Sequence, residues 1–197
     1  EIAYAFALKE DGCGFLGDGT STYGGIVGLE NALTNATYQI SDGAATAASG
    51  VTLAEINAGF GKLPAWAYQR NGVKIYCHKS VYHKVFERLA MAAGGVTAAE
   101  IAAGMQPRFF GYPVEFVQVM TASASLSGAG ATFAFIGDLS QGCYLGDRRS
   151  TSVAFSDSAL NAFEQDERVV RGTERFDIVC ANVGSSTESG AVIKLTL

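Results

Sequence analysis

The sequence predicts an α+β fold, and three observations carry that prediction. Helix and strand patterns are mixed without a regular strand–helix–strand order, a capping box opens a helix after Thr52, and the final residues alternate as a strand does. The chain has 197 residues, of which 48% are apolar and 12 are phenylalanine, so it can bury a sizeable core. This length corresponds to one large domain or to two small intertwined ones.

The first third of the chain is predicted to begin with a helix and to continue through turns. Glu1–Asp11 has an apolar side, and Gly12 supplies a helix stop. The glycine-rich stretch Gly12–Gly28 is typical of turns, and Leu29–Asp42 is expected to be irregular. The capping box Thr52-Leu53-Ala54-Glu55 predicts a short helix that ends at Gly59.

The remaining elements are predicted to be mostly strands. Val73–Cys77 has the pattern of a buried strand, and a helix is expected from Ser80 to about Ala93. In the last strand Ala191, Ile193, Leu195 and Leu197 share one face, and Val192, Lys194 and Thr196 share the other. The strands predicted after that helix are Val114–Met120, Phe133–Ile136, Thr151–Phe155, Val170–Cys180 and Ala191–Leu197.

Two segments of the chain resemble each other. Gly50–Phe60 and Gly95–Met105 are identical at eight of eleven positions. Each segment contains all the local signals of a two-turn helix, which are an N-cap, a Glu at the third helical position and a Gly stop. The two segments could derive from a duplication, but two copies are too few for a solenoid. Independent use of the same helix signals is the simpler interpretation.

Charge and cysteine content exclude several classes of protein. A net charge of −5 argues against non-specific nucleic-acid binding by the whole chain. There is no apolar run of about 18 residues, so no membrane span is expected. The four cysteines are scattered without paired spacing, which predicts reduced thiols, no structural zinc and no disulfide; they are Cys13, Cys77, Cys143 and Cys180.

Candidate catalytic and metal-binding residues are few. His78 and His83 are the only histidines, and their spacing does not place them on one helical face. Gly17-Asp18-Gly19-Thr20 lacks the further positions of a calcium or phosphate loop and is expected to be a turn. The acidic residues Glu164, Asp166 and Glu167 stand beside Arg168 and Arg171, which is typical of an exposed charged segment. We therefore assign no catalytic, cofactor-binding or metal-binding residue.

The arginines are concentrated near the end of the chain. Five of the eight fall between Arg148 and Arg175, and no lysine occurs between Lys84 and Lys194. Because the planar guanidinium pairs bidentately with carboxylates, this use of arginine favours fixed ion pairs over a solvated surface. We therefore expect subunit contacts, or ion pairs that brace them, at Arg148, Arg149, Arg171, Glu174 and Arg175, with a solvated charged face as the alternative.

Six short motifs, taken in order, resemble the major capsid proteins of tailed bacteriophages, the Hong Kong phage-type capsid fold. Gly111-Tyr112-Pro113-Val114 is similar to that family's strand entry, where proline is tolerated at the first strand position. Ala65-Trp66-Ala67-Tyr68 resembles its central strand. The capped helix after Ser80 resembles the family's helix that follows this strand. The other motifs are the run from Glu1 through Phe15-Leu16 and Gly17-Asp18-Gly19-Thr20 to Gly25-Ile26, then Phe135-Ile136-Gly137-Asp138, Gly146-Asp147-Arg148-Arg149 and Arg171–Arg175.

The resemblance implies a division of the chain and a function. Glu1 to Gly61 would be a peripheral-domain remnant, Leu63 to Phe155 the axial domain, and Ser156 to Asn182 a return through the peripheral domain. Val183 to Leu197 would be a closing strand in the axial sheet. The protein would be a structural subunit of an icosahedral phage or prophage head, and would assemble with itself into pentamers and hexamers around double-stranded DNA.

The resemblance also implies partners, a location and alternatives. Scaffold, portal and head protease would be partners, and the subunit would reside in the virion capsid after assembly in the bacterial cytoplasm. The chain opens inside a helix without an initiator Met, which predicts an N-terminally shortened form unable to close shells alone. The alternatives are an encapsulin-type compartment, which needs an inner cargo-peptide pocket, and more remotely a small hydrolase, which needs a nucleophile–base pair.

Overall fold

The computed structural model describes residues 2–68, 72–93, 107–157 and 168–197. The helices of these residues are α1 (Ile2–Leu16), α2 (Leu29–Ala32), α3 (Leu53–Lys62), α4 (Ala65–Tyr68), α5 (Lys79–Val81), α6 (Arg88–Ala92) and α7 (Leu139–Gly142). A π-helical segment, Tyr82–Glu87, joins α5 to α6. The strands are β1 (Ile40–Asp42), β2 (Lys74–Cys77), β3 (Arg108–Phe109), β4 (Tyr112–Phe116), β5 (Thr132–Gly137), β6 (Cys143–Ser156), β7 (Val169–Cys180) and β8 (Val192–Thr196).

The strands form two separate sheets. Six of them make a mixed sheet in the order β1-β8-β5-β2-β4-β3, and β6 and β7 make a two-stranded antiparallel ribbon. In the larger sheet β8 runs parallel to β1 and antiparallel to β5. This combination of helices with a mixed sheet confirms the predicted α+β class.

The larger sheet has one face covered by helices. Val114, Ile75, Ile136 and Ile193 are successive register partners across four strands, so their side chains form one apolar row. This row belongs to a core cluster that also contains residues of α3 and of the helix after Cys77; these are Ile56, Phe60, Val81, Val85 and Phe86. The row and the helices together bury the first core.

The opposite face of the sheet is also buried. Phe15, near the end of α1, lies 5.9 Å from Phe135 and 6.1 Å from Tyr76 between ring centroids. Leu29 and Leu33 join the same cluster. Because both faces are covered, every residue of β5 is buried, as in a strand at the centre of a three-layer arrangement.

The predicted capping box is confirmed. The Thr52 hydroxyl accepts a hydrogen bond from the Glu55 N–H at 3.4 Å, and the Glu55 carboxylate accepts one from the Thr52 N–H at 2.6 Å. The predicted stop at Gly59 is wrong, because α3 continues to Lys62. Gly59 is buried, and a Cβ there would collide with the Leu195 side chain, so this glycine permits close packing of the helix on β8.

Three other predictions for the first third are corrected. The first helix does not stop at Gly12 but reaches Leu16, where Phe15 anchors it on the sheet. Leu29–Asp42 is not wholly irregular, since it contains α2 and β1. Ala65–Tyr68 is a short helix rather than a strand, and Ala67 is buried in it.

The later elements are present with shifted ends. The helix predicted from Ser80 begins at Lys79, and His78 rather than Ser80 is its N-cap. The strand predicted over Val114–Met120 is β4, which spans Tyr112–Phe116. β6 begins eight residues before the predicted Thr151 and continues to Ser156. The second copy of the internal repeat, Gly95–Met105, lies outside the described residues.

The closing strand has the predicted alternation, but both of its faces are buried except at Lys194, which is half-buried. Ile193, Leu195 and Leu197 lie in the first core, and Val192 lies in the second. Ala191 precedes the strand and belongs to the second core instead of the first. The Lys194 ammonium donates to the Glu30 carbonyl at 2.8 Å, and partial burial lowers the pKa of this lysine.

Candidate subunit-contact surface

The β6–β7 ribbon contains the two longest strands of the described residues, and most of β6 is exposed. Its register runs from Cys143 opposite Cys180 to Ser156 opposite Val169, with irregularities between Asp147 and Arg149 and between Arg149 and Ser152. A two-stranded ribbon is marginally stable alone and needs a further layer. Among the described elements, α1 supplies that layer along one face of β7.

Contacts with α1 identify the inner face of the ribbon. A Cβ on Gly172 would lie 2.8 Å from Cε2 of Phe6, and a Cβ on Gly14 would lie 3.4 Å from Cδ1 of Ile178. Successive strand residues point to opposite faces, so even-numbered residues of β7 face the helix. The odd-numbered residues Arg171 and Arg175 therefore form part of the outer face, where both are exposed.

The outer face places two cations opposite each other. Arg149 and Arg175 are register partners, and both are exposed. Like charges directly opposite on an antiparallel pair are destabilising. Within the described part of the chain, no ion pair involves Arg148, Arg149, Arg171 or Arg175. Among the described residues these four arginines have no carboxylate within 4.0 Å, and all four are exposed.

Glu174 occupies the inner face, away from the arginines beside it in sequence. Its carboxyl meets that of Glu10 on α1, and its Oε2 atom is buried without a hydrogen-bond partner among the described residues. Partial burial, followed by the hydrogen bond and charge of Glu174, raises the pKa of Glu10. Glu174 and Arg175 are adjacent in sequence, but successive residues of a strand point to opposite faces, so their side chains lie on different sides of the ribbon.

One arginine of the ribbon does have an internal partner. Arg168 Nε donates to Asp157 Oδ1 at 2.7 Å, and the two side chains are 66% and 68% exposed. An ion pair this exposed contributes no more than about 1 kcal/mol. The acidic residues Glu164, Asp166 and Glu167 of the same region lie outside the described residues.

The other candidate sites have structural roles. His78 Nδ1 accepts the Ser80 N–H at 3.1 Å as a helix cap, and His83 pairs with Glu87 one turn along the next helical segment. The Asp18 carboxylate accepts the Thr20 N–H at 2.9 Å within a turn. The described residues contain no group of three or more His, Cys, Asp or Glu side chains able to hold a metal ion. In the same residues, no helix is long and apolar enough to cross a membrane.

The register of the ribbon also reveals a pair that sequence spacing did not. Cys143 and Cys180 are opposite each other, and their Sγ atoms are 3.3 Å apart. They are 37 residues apart in sequence, and only the pairing of β6 with β7 brings them together.

Comparison with known proteins supplies the family. The model of the phage capsid family matches residues 1–185. The capsid of an empty GTA particle, computed with C5 symmetry, is similar with a TM-score of 0.65 and 17% identity, over 100% of this chain and 69% of that chain. The capsid of the native GTA particle, also computed with C5 symmetry, is similar with a TM-score of 0.60 and 17% identity, over 100% of this chain and 63% of that chain.

A third similar structure is one of Mycobacterium phage Adephagia, with a TM-score of 0.57 and 20% identity over 98% of this chain and 61% of that chain. This chain thus spans between 61% and 69% of the length of these three. A search of curated proteins gives no match. The structural similarities support the Hong Kong phage-type fold, and the match over nearly the whole sequence supplies the family. The chain belongs to the phage capsid family, the structural subunits from which phage heads are built.

Proposed function

We propose that this chain is the repeating subunit of an icosahedral head, and that it assembles into pentamers and hexamers around double-stranded DNA. Membership of the phage capsid family supports the structural role. A fivefold arrangement is stated for the capsids of the two GTA particles to which the chain is similar. The net charge of −5 suits a shell that encloses DNA without gripping it.

The packing of the subunit supports a division into two parts. The axial part would be the six-stranded sheet with its covering helices, and it would include β8. The peripheral part would contain α1 and the β6–β7 ribbon, so the predicted end of the axial domain moves in this proposal from Phe155 to about Gly142. The predicted boundary at Gly61 moves toward the N-terminus in this proposal, because β1 pairs with β8 and α3 packs in the first core.

The observation that carries the proposal is the outer face of the ribbon. Arg149 stands opposite Arg175 without an anion beside them among the described residues. A carboxylate placed between two guanidinium groups would replace their repulsion with charge-assisted hydrogen bonds. We infer that a neighbouring copy supplies that carboxylate, so Arg149 and Arg175, with Arg148 and Arg171 beside them, are contact residues between subunits.

Alanine substitution of each arginine tests this inference. The variants Arg149→Ala and Arg175→Ala should melt within about 2 °C of the parent protein, because each residue is exposed. The same variants should lose most of the oligomers or particles seen by light scattering and electron microscopy. Lys84→Ala is the matched control, since it removes an exposed cation from a helical segment away from the ribbon. Normal particle yield from all four arginine variants would support the solvated face instead.

We also propose that the subunit has no enzymatic role, since its family is structural. Scaffold, portal and head protease are proposed as partners, the virion capsid as the location, and the host cytoplasm as the place of assembly. The matches are to phage capsids and do not favour an encapsulin-type compartment. The hydrolase alternative would need a nucleophile activated by a base. Ser80 Oγ does lie 2.8 Å from His78 Nδ1, but the two atoms accept the backbone N–H groups of Ser123 and Ser80, which is a structural role, and His83 pairs with Glu87.

A further inference from the structure

The thiols of Cys143 and Cys180 meet where the ribbon joins the rest of the subunit. Cys143 is the first residue of β6 and Cys180 the last of β7, and their Sγ atoms are 3.3 Å apart. The Ala181 N–H donates to the Gly142 carbonyl at 3.0 Å, which makes the cysteines a non-hydrogen-bonded pair of the ladder. Such pairs have Cα atoms about 4.5 Å apart, within the range of about 4.4–6.8 Å that a disulfide spans. Bond formation therefore requires rotation of side chains but no change of register.

The two thiols are not equivalent. The Cys143 S–H donates to the Cys180 sulfur. This hydrogen bond lowers the pKa of Cys180, and the same bond with burial raises that of Cys143. Cys180 is also the member of the pair that lines a cleft at the end of β7, and this access makes it the expected nucleophile, while Cys143 is placed to resolve the product.

This cleft gives small molecules a route to Cys180. The cleft has a volume of about 290 Å³. Gly25–Val27 and Ala32 line one side of it, and the end of β7 lines the other. Asp177, Ile178, Val179 and Cys180 line its second side. Cys13 and Cys77 differ from this pair, because they are only 2% and 0% exposed.

We propose that Cys143 and Cys180 form an oxidation site that yields an intrachain disulfide, with a small-molecule disulfide such as oxidised glutathione as the oxidant. The Cys180 thiolate attacks one sulfur of the oxidant, whose S–S bond breaks and releases one thiolate, which takes a proton. The Cys143 thiol then gives its proton to solvent and attacks Cys180 Sγ, displacing the second small thiol. Two protein thiols are oxidised to one disulfide, and one small disulfide is reduced to two thiols.

The disulfide would cross-link the first residue of β6 to the last residue of β7. It would close a loop that contains nearly all of β6 and β7, and both cysteines already pack against the second core. Constraining a loop of this length in the unfolded chain is expected to raise the melting temperature by about 5–15 °C. The ribbon would then keep its register at the junction when the rest of it is strained by contacts with other molecules.

The test is oxidation of the native, fully reduced protein with oxidised glutathione, followed by alkylation, intact mass measurement and peptide mapping. We expect the loss of two hydrogens, one cross-linked peptide joining Cys143 to Cys180, and a higher melting temperature. Cys143→Ser should stop at one glutathione bound to Cys180, and Cys13→Ala is the matched control that should form the disulfide normally.

Three results would overturn the proposal. These are native protein that stays reduced, glutathione that remains on wild-type Cys180, or cross-links that join different chains or involve Cys13 or Cys77. The wild-type peptide map decides between these outcomes even if a serine variant fails to fold. None of these readouts depends on particle assembly, so the oxidation site and the proposed shell function succeed or fail independently.

Discussion

Gly172 controls how closely α1 lies on the β6–β7 ribbon, and its replacement by valine is expected to loosen that contact. A Cβ at Gly172 would lie 2.8 Å from Cε2 and 3.0 Å from Cζ of Phe6, and 3.2 Å from Cγ2 of Ile2. Carbon atoms in favourable contact are about 3.5–4.0 Å apart. Either the Phe6 ring or the start of the helix must therefore move by about 1 Å, and the two γ-methyl groups of valine add to the conflict.

The size of the effect follows from the kind of strain. Extra methyl groups in a packed contact destabilise by about 1–3 kcal/mol. Valine is otherwise favoured over glycine in a strand, by up to about 1 kcal/mol, because it restricts the unfolded chain and suits extended backbone. Phe6 is only half-buried and Ile2 is exposed, so the net expectation for Gly172→Val is a free energy of unfolding lower by about 1 kcal/mol, or a melting temperature lower by about 2–4 °C.

Gly146→Val is the matched control on the other strand of the ribbon. The nearest atom to a Cβ at Gly146 is the Asp177 carbonyl oxygen at 3.8 Å, an ordinary contact. Urea denaturation should give an unchanged or higher stability for this variant, and hydrogen exchange should be faster in α1 only for Gly172→Val. Equal stabilities for the two valine variants, with unchanged exchange in α1, would refute the inference that this helix packs on the ribbon through Gly172.

Two further predictions concern the cap of α3 and the carboxyl pair on the inner face. Thr52→Ala removes the side-chain acceptor for the Glu55 N–H and should lower the free energy of unfolding by about 1 kcal/mol in urea denaturation, whereas Thr37→Ala, which removes no cap, should not. Because the pKa of Glu10 is raised in the folded protein, the unfolded chain releases that proton at lower pH, and stability should fall as pH rises through the interval above 4.5. Glu174→Gln should make this fall in the free energy of unfolding smaller, by less than about 1 kcal/mol, because solvent screens the pair. The measurement is the urea midpoint as a function of pH. If Glu174→Gln leaves that pH dependence unchanged, the contact between Glu10 and Glu174 is contradicted.

Sequence predicts those parts of the fold whose causes are local. The capping box at Thr52 requires only four consecutive residues, and it is present as predicted. Val73–Cys77 is recognisable as a strand because Val73, Ile75 and Tyr76 are β-branched or aromatic. Gly12 and Gly59 are misread as helix stops, because a glycine can end one helix, permit close packing of another, as at Gly59, or lie within a helix with nothing packed against it, as at Gly12. Only the neighbour in space, such as Leu195 beside Gly59, distinguishes these cases.

The candidate site is harder to predict because it depends on register. The cluster of arginines is visible in the sequence, but the face of the ribbon that each arginine occupies is not. Glu174 and Arg175 are adjacent, and a strand sends adjacent side chains to opposite faces. Cys143 and Cys180 show the converse, since a separation of 37 residues conceals a direct pairing. No local pattern specifies which residues of two long strands stand opposite each other when irregularities interrupt the ladder.

The outer face of the ribbon can take part in contacts through charge or through apolar area, and salt distinguishes the two. The inner face is held by α1, whereas the outer face presents Arg149 opposite Arg175 together with the exposed Tyr144 and Val179. If carboxylates of a neighbouring copy meet the arginines, added salt screens the attraction over a distance of about 10 Å at 0.1 M and weakens assembly. If apolar area dominates, salting-out ions strengthen assembly instead. In a closed shell each copy repeats the same contact, so even a small free energy per contact adds up over the assembly and becomes measurable. Assembly that falls with sodium chloride in the parent protein, and no longer does so in Arg149→Ala, would therefore assign the contact to charge.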